Sequence, residues 1–149
     1  SATRGFLGAE IFYEKDIGRH FAFDVGFRYD REAINYEAST YVTNRAILAF
    51  NLLYYFKIFS EYIPGKIYVG LGSGIGQSST EVETLKQSGT VAVLPGFKLG
   101  LTYPFNYDWD FLIEAGVESL QTSEKQESGS EQTTTQTNFR SSFGLRRFF

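Results

Sequence analysis

The feature that most constrains this chain is a strict alternation of apolar and polar side chains. In residues 21–30 the odd positions hold Phe, Phe, Val, Phe and Tyr, and the even positions hold Ala, Asp, Gly, Arg and Asp. A period of two is the period of a β-strand whose two faces meet different surroundings. The sequence therefore predicts an all-β protein whose strands carry one apolar and one polar face.

Seven segments show this pattern, and most are ten residues or longer. An ordinary globular strand has about five or six residues, whereas a tilted strand that crosses a bilayer needs about 9–11. The lengths therefore favour membrane strands within a single domain, residues 1–149. We predict strands at residues 5–15, 20–31, 42–57, 66–78, 90–103, 109–121 and 137–149.

The composition supports the same interpretation. Mean hydropathy is only −0.20, although 17% of the residues are aromatic. No segment approaches the ~20 apolar residues of a membrane helix. A membrane β-barrel reconciles the two values, because only alternate residues face lipid. We therefore predict an antiparallel up-and-down transmembrane β-barrel, and the alternative is a soluble barrel or sandwich.

The connections between the predicted strands alternate in length. Residues 16–19, 60–65 and 104–108 form short turns, whereas 32–41, 79–89 and 122–136 are polar and are expected to be long loops, the last one mobile. Short periplasmic turns and long external loops are typical of the bacterial outer membrane. Because single-chain bacterial barrels have an even number of strands, we expect an eighth strand before residue 1. The alternative is that residues 33–57 contain two strands.

The polar face predicts a filled interior. Charges in a narrow lumen are costly unless they are paired, so the near balance of their signs favours an ion-pair network and a plugged barrel. Two pairs are expected: Lys98 with Glu114, because Tyr103 is expected opposite Trp109, and Glu118 with Arg140. The predicted network contains Glu10, Asp24, Arg28, Arg45, Lys98, Glu114, Glu118 and Arg140.

Aromatic residues gather near the short turns, on the apolar face. Such rings suit a membrane interface, because they have an apolar body and a polar tip. The predicted interface set is Tyr54, Phe56, Tyr103, Trp109 and Phe149. Pro95 interrupts a predicted strand, and we expect a β-bulge there because proline cannot donate a ladder hydrogen bond.

These features together resemble the small eight-stranded outer-membrane barrels of the OmpA/OmpX type. The resemblance covers the whole chain and includes the terminal Phe149, preceded by apolar Leu145, Phe143 and Phe139, although Arg147 and Ser141 depart from the pattern. It implies a monomeric barrel in the bacterial outer membrane that acts as an anchor with surface loops.

Other functions have weaker signals. Cysteine is absent and the net charge is −3, so neither a thiol site nor a nucleic-acid partner is expected. The glycine-rich stretch at 70–76 is not followed by a helix, which a nucleotide fingerprint requires. His20 lies beside a short turn and is expected to be structural. We therefore expect no enzyme, cofactor or metal, and an extracellular partner for the loops. A small passive channel is the alternative.

Overall fold

The fold is a single antiparallel sheet whose seven strands follow one another in chain order. The computed structural model describes residues 3–56, 65–83, 85–125 and 129–147, with only the backbone at residues 3–6. No helix in these ranges is long and apolar enough to cross a membrane. The strands are β1 (Thr3–Asp16), β2 (Phe21–Asn35), β3 (Thr40–Phe56), β4 (Lys66–Val82), β5 (Leu85–Pro104), β6 (Trp109–Lys125) and β7 (Glu131–Arg147).

The seven predicted strands are confirmed, including the short turns at residues 17–20 and 105–108. Residues 33–57, for which two strands were the alternative, contain the end of β2 and then a single strand, β3. Each strand pairs with the next over most of its length. The alternation of the sequence is therefore the alternation of the two faces of one continuous sheet.

The sheet is curled so that its charged face lies inside. Along β2, Asp24, Arg28 and Asp30 are buried, whereas Phe27 is 55% exposed. Side chains of strands that are not neighbours meet on the inner face, for example Arg28 with Glu118 of β6. This placement of charged side chains inside and apolar side chains outside is the reverse of that in a water-soluble protein, where charged groups are exposed and apolar groups are buried.

The prediction of three long loops is wrong. β2 continues to Asn35 and β3 begins at Thr40, β4 and β5 are separated by two residues, and β6 and β7 by five. The predicted loop residues therefore extend the strands as three hairpins, here called the distal hairpins (residues 32–44, 77–90 and 119–137). Their Ser, Thr and Gln residues keep the backbone ladder while both faces are polar, so the hydrophobic alternation that marks a strand is lost.

Pro95 lies in a β-bulge, as predicted. The register of β5 shifts between Leu94 and Phe97 against β6, and a matching shift occurs against β4. A bulge inserts an extra residue, so the side chains before it change face. Val91 and Val93 are consequently buried on the inner face at 2% and 8% exposure. A period of two carried unbroken through the predicted strand 90–103 would put Val91 and Val93 on the apolar outer face with Phe97 and Leu99, and the bulge shows that this placement is wrong.

The two ends of the sheet do not pair with each other in the described ranges. β1 and β7 both run toward the short turns, and their Cα atoms stay more than 8 Å apart along almost all of their described length. A groove of about 540 Å³ lies between residues 10–16 of β1 and residues 145–147 of β7. The backbone edges of both strands therefore face an opening.

The bulge makes the orientation of Val93 testable. We expect Val93→Asp to lower the free energy of unfolding by at least about 2 kcal/mol, because it places a carboxylate in a closely packed apolar site. Thr90→Asp on the same strand is the control, since Thr90 is exposed. The measurement is a urea titration followed by the fluorescence of Trp109. Equal effects of the two substitutions would place Val93 on the outer face.

Candidate functional site

Arg28 is the centre of the charged interior. It donates hydrogen bonds from Nη1 and Nη2 to Oε2 and Oε1 of Glu118, at 2.8 and 3.0 Å. Its Nε lies 2.8 Å from Oδ2 of Asp30, which is two residues further along β2. The guanidinium group therefore binds one carboxylate with both of its outer nitrogens and a second with its inner nitrogen, a geometry that lysine cannot provide.

Arg140 of β7 extends this group toward β1. Its guanidinium nitrogens lie 3.7 Å from Glu10, 3.7 Å from Asp30 and 3.8 Å from Glu118. The predicted pair of Glu118 and Arg140 is therefore present, although Glu118 is opposite Asn138 in the ladder and the pair forms diagonally. Arg140 and Glu10 connect the two strands that have no backbone pairing with each other.

Lys98 joins β2, β5 and β6. Its Nζ lies 2.8 Å from Glu114 and 3.4 Å from Asp24, and Asn51 donates a 2.5 Å hydrogen bond to Asp24. The stem of Lys98 crosses Gly70, where a Cβ atom would lie 2.8 Å from Lys98 Cγ. Glycine at position 70 of β4 therefore leaves room for the long side chain.

The predicted pair of Lys98 and Glu114 is present, but the register from which it was predicted is wrong. Tyr103 lies opposite Phe111, not Trp109, and Lys98 lies opposite Gly116. The lysine side chain is long enough to reach Glu114 across one diagonal step. Ion pairs around Arg28 and Arg140 and ion pairs around Lys98 form two sets that line one cavity. The eight residues Glu10, Asp24, Arg28, Asp30, Lys98, Glu114, Glu118 and Arg140 of the two sets are here together called the central network.

A second charged group lies nearer the short turns. Arg146 donates hydrogen bonds to Asp110 at 2.6 Å, to Glu14 at 2.8 Å and to the hydroxyl of Tyr55 at 2.7 Å. The Tyr55 hydroxyl in turn donates to the other oxygen of Glu14 at 2.8 Å. These four residues, here called the turn-side cluster, connect β1, β3, β6 and β7.

Arg45 is not part of the central network with which it was predicted. Its guanidinium donates to Glu32 at 2.9 Å, and both side chains are buried. On β3 the fully buried Ile47 separates Arg45 from the part of the strand that carries Asn51. The sequence missed Glu32 as a partner because that residue was assigned to a loop.

Two apolar clusters border the central network. Ala22, Leu53, Tyr68 and Leu112 pack together on its short-turn side. On its other side lies a second cluster, which consists of Ile47, Val91, Val93 and Leu120. Along β6, Glu114 and Glu118 lie between Leu112 and Leu120, so the charges are enclosed between two apolar layers.

The interior retains only a small space. A cavity of about 80 Å³ is lined by side chains of the central network, among them Arg28, Lys98 and Glu114. A buried water needs about 10–15 Å³ of such free space, so this cavity can hold a few waters. The arrangement can hold strands together across the lumen and can hydrate its own charges.

The central network is not balanced in charge. It contains five carboxylates and three basic groups, so the predicted near balance of interior signs does not extend to this part. The turn-side cluster adds two carboxylates and one arginine. These two described groups therefore contain more carboxylates than basic side chains, an excess that favours cations over anions near them.

The predicted interface aromatics fall on the outer face as far as they are described. Phe56 and Tyr103 are 36% and 47% exposed, and Tyr54 and Trp109 are half-buried. Phe149 lies outside the described residues. Arg147, a departure from the terminal pattern, lies over the ring of Trp109 at 5.7 Å from its centroid.

Tyr54 anchors the aromatic group at the turn between β1 and β2. Its ring contacts Phe21 and Phe56 edge-on, with centroids 5.1 and 4.8 Å apart. The ring of His20 lies 5.7 Å away, and the His20 carbonyl accepts a hydrogen bond from the backbone of Tyr55. This contact with aromatic rings and backbone gives His20 a structural role in the turn.

Several interior residues were not in the predicted network. Asp30, Asp110, Glu14 and Arg146 lie on the charged face, as the period of two predicts, although the predicted network did not include them. Tyr55 and Asn51 were missed because charge alone was used to select the set. No group of three or more His, Cys, Asp or Glu side chains in the described ranges is arranged to hold a metal ion.

The chain matches no protein-family model and no curated protein. Function must therefore be argued from the distribution of charged and apolar groups in the fold itself.

The central network predicts a large difference between buried and exposed ion pairs. Arg28→Met should lower the free energy of unfolding by about 3–5 kcal/mol, because Asp30 and Glu118 would lose their closest cation. Lys86→Met is the control, since its pair with Glu81 is 3.9 Å long and exposed, and such pairs contribute about 1 kcal/mol or less. Chemical denaturation of both variants provides the measurement. Similar losses for the two would contradict a buried network.

Proposed function

We propose that this chain is a transmembrane β-barrel of the bacterial outer membrane that serves as a plugged structural anchor for the distal hairpins. The observation that carries the proposal is the sharp division of the outer face into an apolar zone and a polar zone. A soluble protein rarely exposes a continuous apolar surface of more than a few hundred Å². In a bilayer, such a surface is what the lipid requires.

The division is clear on β4 and β6, the two strands that pair with β5. On β6 the outward residues run Trp109, Phe111, Ile113, Ala115 and Val117, and then Ser119, Gln121 and Ser123. On β4 they run Ile67, Val69, Leu71, Ser73 and Ile75, and then Gln77, Ser79 and Glu81. The apolar zones, residues 109–117 and 67–75, match the ~9–11 residues of a membrane strand.

The exposed apolar residues include both edge strands. Ile11 of β1 is 82% exposed, and Phe139 and Phe143 of β7 are 75% and 91% exposed. In lipid, unpaired backbone groups at these edges would cost several kcal/mol each, so the edges need a partner. One antiparallel strand between β1 and β7 would pair with both, since they run in the same direction and two strand spacings are about 10 Å. One further strand paired in this way would close the barrel.

The filled interior favours an anchor over an enzyme. The charged side chains of the lumen are engaged with one another, and the cavity among them is small. In this proposal the barrel is a monomer, the short turns face the periplasm and the distal hairpins face the exterior. Neither a cofactor nor a nucleic-acid partner is part of the proposal.

The response of the outer face to charge tests the membrane assignment. In phospholipid vesicles we expect Leu71→Arg to lower the free energy of unfolding by about 2–4 kcal/mol, because the charge would lie in hydrocarbon. Gln77→Arg, on the same strand and face but in the polar zone, should change it by less than about 1 kcal/mol. If the protein folds in water without detergent and tolerates Leu71→Arg, whose site is 48% exposed, the membrane proposal fails.

A small passive channel is the second candidate, favoured by the interior cavity and by the excess of carboxylates in the central network. Any current through such a lumen should be cation-selective, since the fixed charge is negative. The two apolar layers oppose this function, because they interrupt a hydrated path at both ends of the network.

Planar-bilayer recording separates the two functions. The full-length protein, folded in detergent and inserted in a bilayer, should be silent if the interior is closed. Lys98→Ala should give measurable openings, because it removes the cation that connects Asp24 and Glu114. Steady cation-selective current from the unmodified protein would instead make the channel its function.

A further inference from the structure

The distal hairpins carry a row of apolar side chains that the barrel interior does not use. Ile34 of β2 lies opposite Tyr41 of β3, Tyr41 lies opposite Val82 of β4, and Val82 lies opposite Leu85 of β5. Residues directly opposite each other in a sheet share a face. Four apolar side chains on four strands therefore form one transverse row, here called the apolar row.

The apolar row lies on the inner face, beyond the closed part of the lumen. Ile34 follows the buried Glu32 by two residues, so by the strand period both point to the same side. The residues between the apolar row and the interior clusters are polar. Thr43 is hydrogen-bonded to Thr80, and Thr80 donates to Glu124 of β6. The apolar row is thus separated from the interior clusters by a hydrogen-bonded layer.

The apolar row is accessible, and one further aromatic ring packs against it. Leu85 is 65% exposed and Tyr41 is 36% exposed. Tyr36, 53% exposed, packs edge-on against Tyr41 with ring centroids 5.5 Å apart. These side chains lie on the inner face, so lipid at the outer face does not cover them.

The charge of the distal hairpins indicates what kind of partner covers the apolar row. The described residues of the distal hairpins contain six glutamates and two lysines, and Glu32 is buried against Arg45. The other five glutamates are here called the acidic rim: Glu37, Glu81, Glu83, Glu124 and Glu131. An acidic rim around an apolar row repels acidic partners and attracts basic ones. The chemistry that complements both features is a cationic peptide segment with apolar side chains.

We propose that the apolar row and its acidic rim form a binding surface for a basic, amphipathic peptide segment of a partner protein. The apolar side chains of the segment pack on Tyr41 and Leu85, and its lysines or arginines meet the glutamates of the rim. The proposal rests on the membrane orientation, because it requires the distal hairpins to stand in water outside the bilayer.

The test uses a defined probe, the fluorescein-labelled peptide Lys-Leu-Lys-Trp-Lys-Leu-Lys, and the folded protein in nanodiscs of zwitterionic lipid. Fluorescence anisotropy should show saturable binding above that of empty nanodiscs, weakened by added salt. The peptide with glutamate in place of lysine should not bind. A peptide with serine in place of leucine and tryptophan should bind at least about tenfold more weakly, since it lacks the apolar contact.

Matched variants locate the site. Tyr41→Ser combined with Leu85→Ser should weaken binding at least about tenfold, and Leu85→Ser alone should weaken it severalfold if the double variant does not fold. Val42→Ser, the neighbouring position on the opposite face of β3, should change binding by less than about twofold.

Unchanged binding in the Leu85→Ser variant, or equal binding of the acidic peptide, would overturn the proposal. The same assay on detergent-free protein distinguishes this failure from a failure of the membrane assignment. Binding to a protein that proves soluble in water would support the apolar row and reject the bilayer.

Discussion

The fold depends on one constraint: charged groups that are removed from water must be paired. The apolar zone of the outer face carries few charges, whereas the inner face carries buried charged groups such as Asp24, Arg28, Asp30 and Arg45. Arg28, which binds Glu118 with two nitrogens and Asp30 with a third, shows how the requirement is met. Some of the same contacts hold distant strands together, because Arg28–Glu118 and Lys98–Asp24 join strands that do not share a ladder.

Pairing also explains the layering of the interior. A charged network is strengthened when water is excluded around it, and it is costly when any member is left without a partner. The apolar clusters at Leu53 and Leu120 exclude water on either side, and the cavity between them admits a few waters to the groups that remain. An arrangement of this kind favours rigidity over conduction, which is why we place the anchor before the channel.

The sequence predicted the strands and the orientation of their faces because both follow from a period of two. It could not predict the ladder register, which depends on turn geometry, so Lys98 was correctly paired with Glu114 from a wrong register. The bulge at Pro95 was expected. The alternation was nevertheless continued through it unchanged, although a bulge moves Val91 and Val93 to the other face. Likewise, the distal hairpins were taken for loops because strands that face water on both sides lose the hydrophobic signal.

The apolar row shows why register matters for function as well as for fold. In the sequence Ile34, Tyr41, Val82 and Leu85 are isolated apolar residues in polar segments, and no period links them. Only the pairing of β2 with β3, β3 with β4 and β4 with β5 places them side by side. If the protein is a plugged anchor as we propose, recognition at the distal hairpins is a use that a rigid scaffold can serve. The surface that a partner would meet first is the one that the hairpins build from these residues.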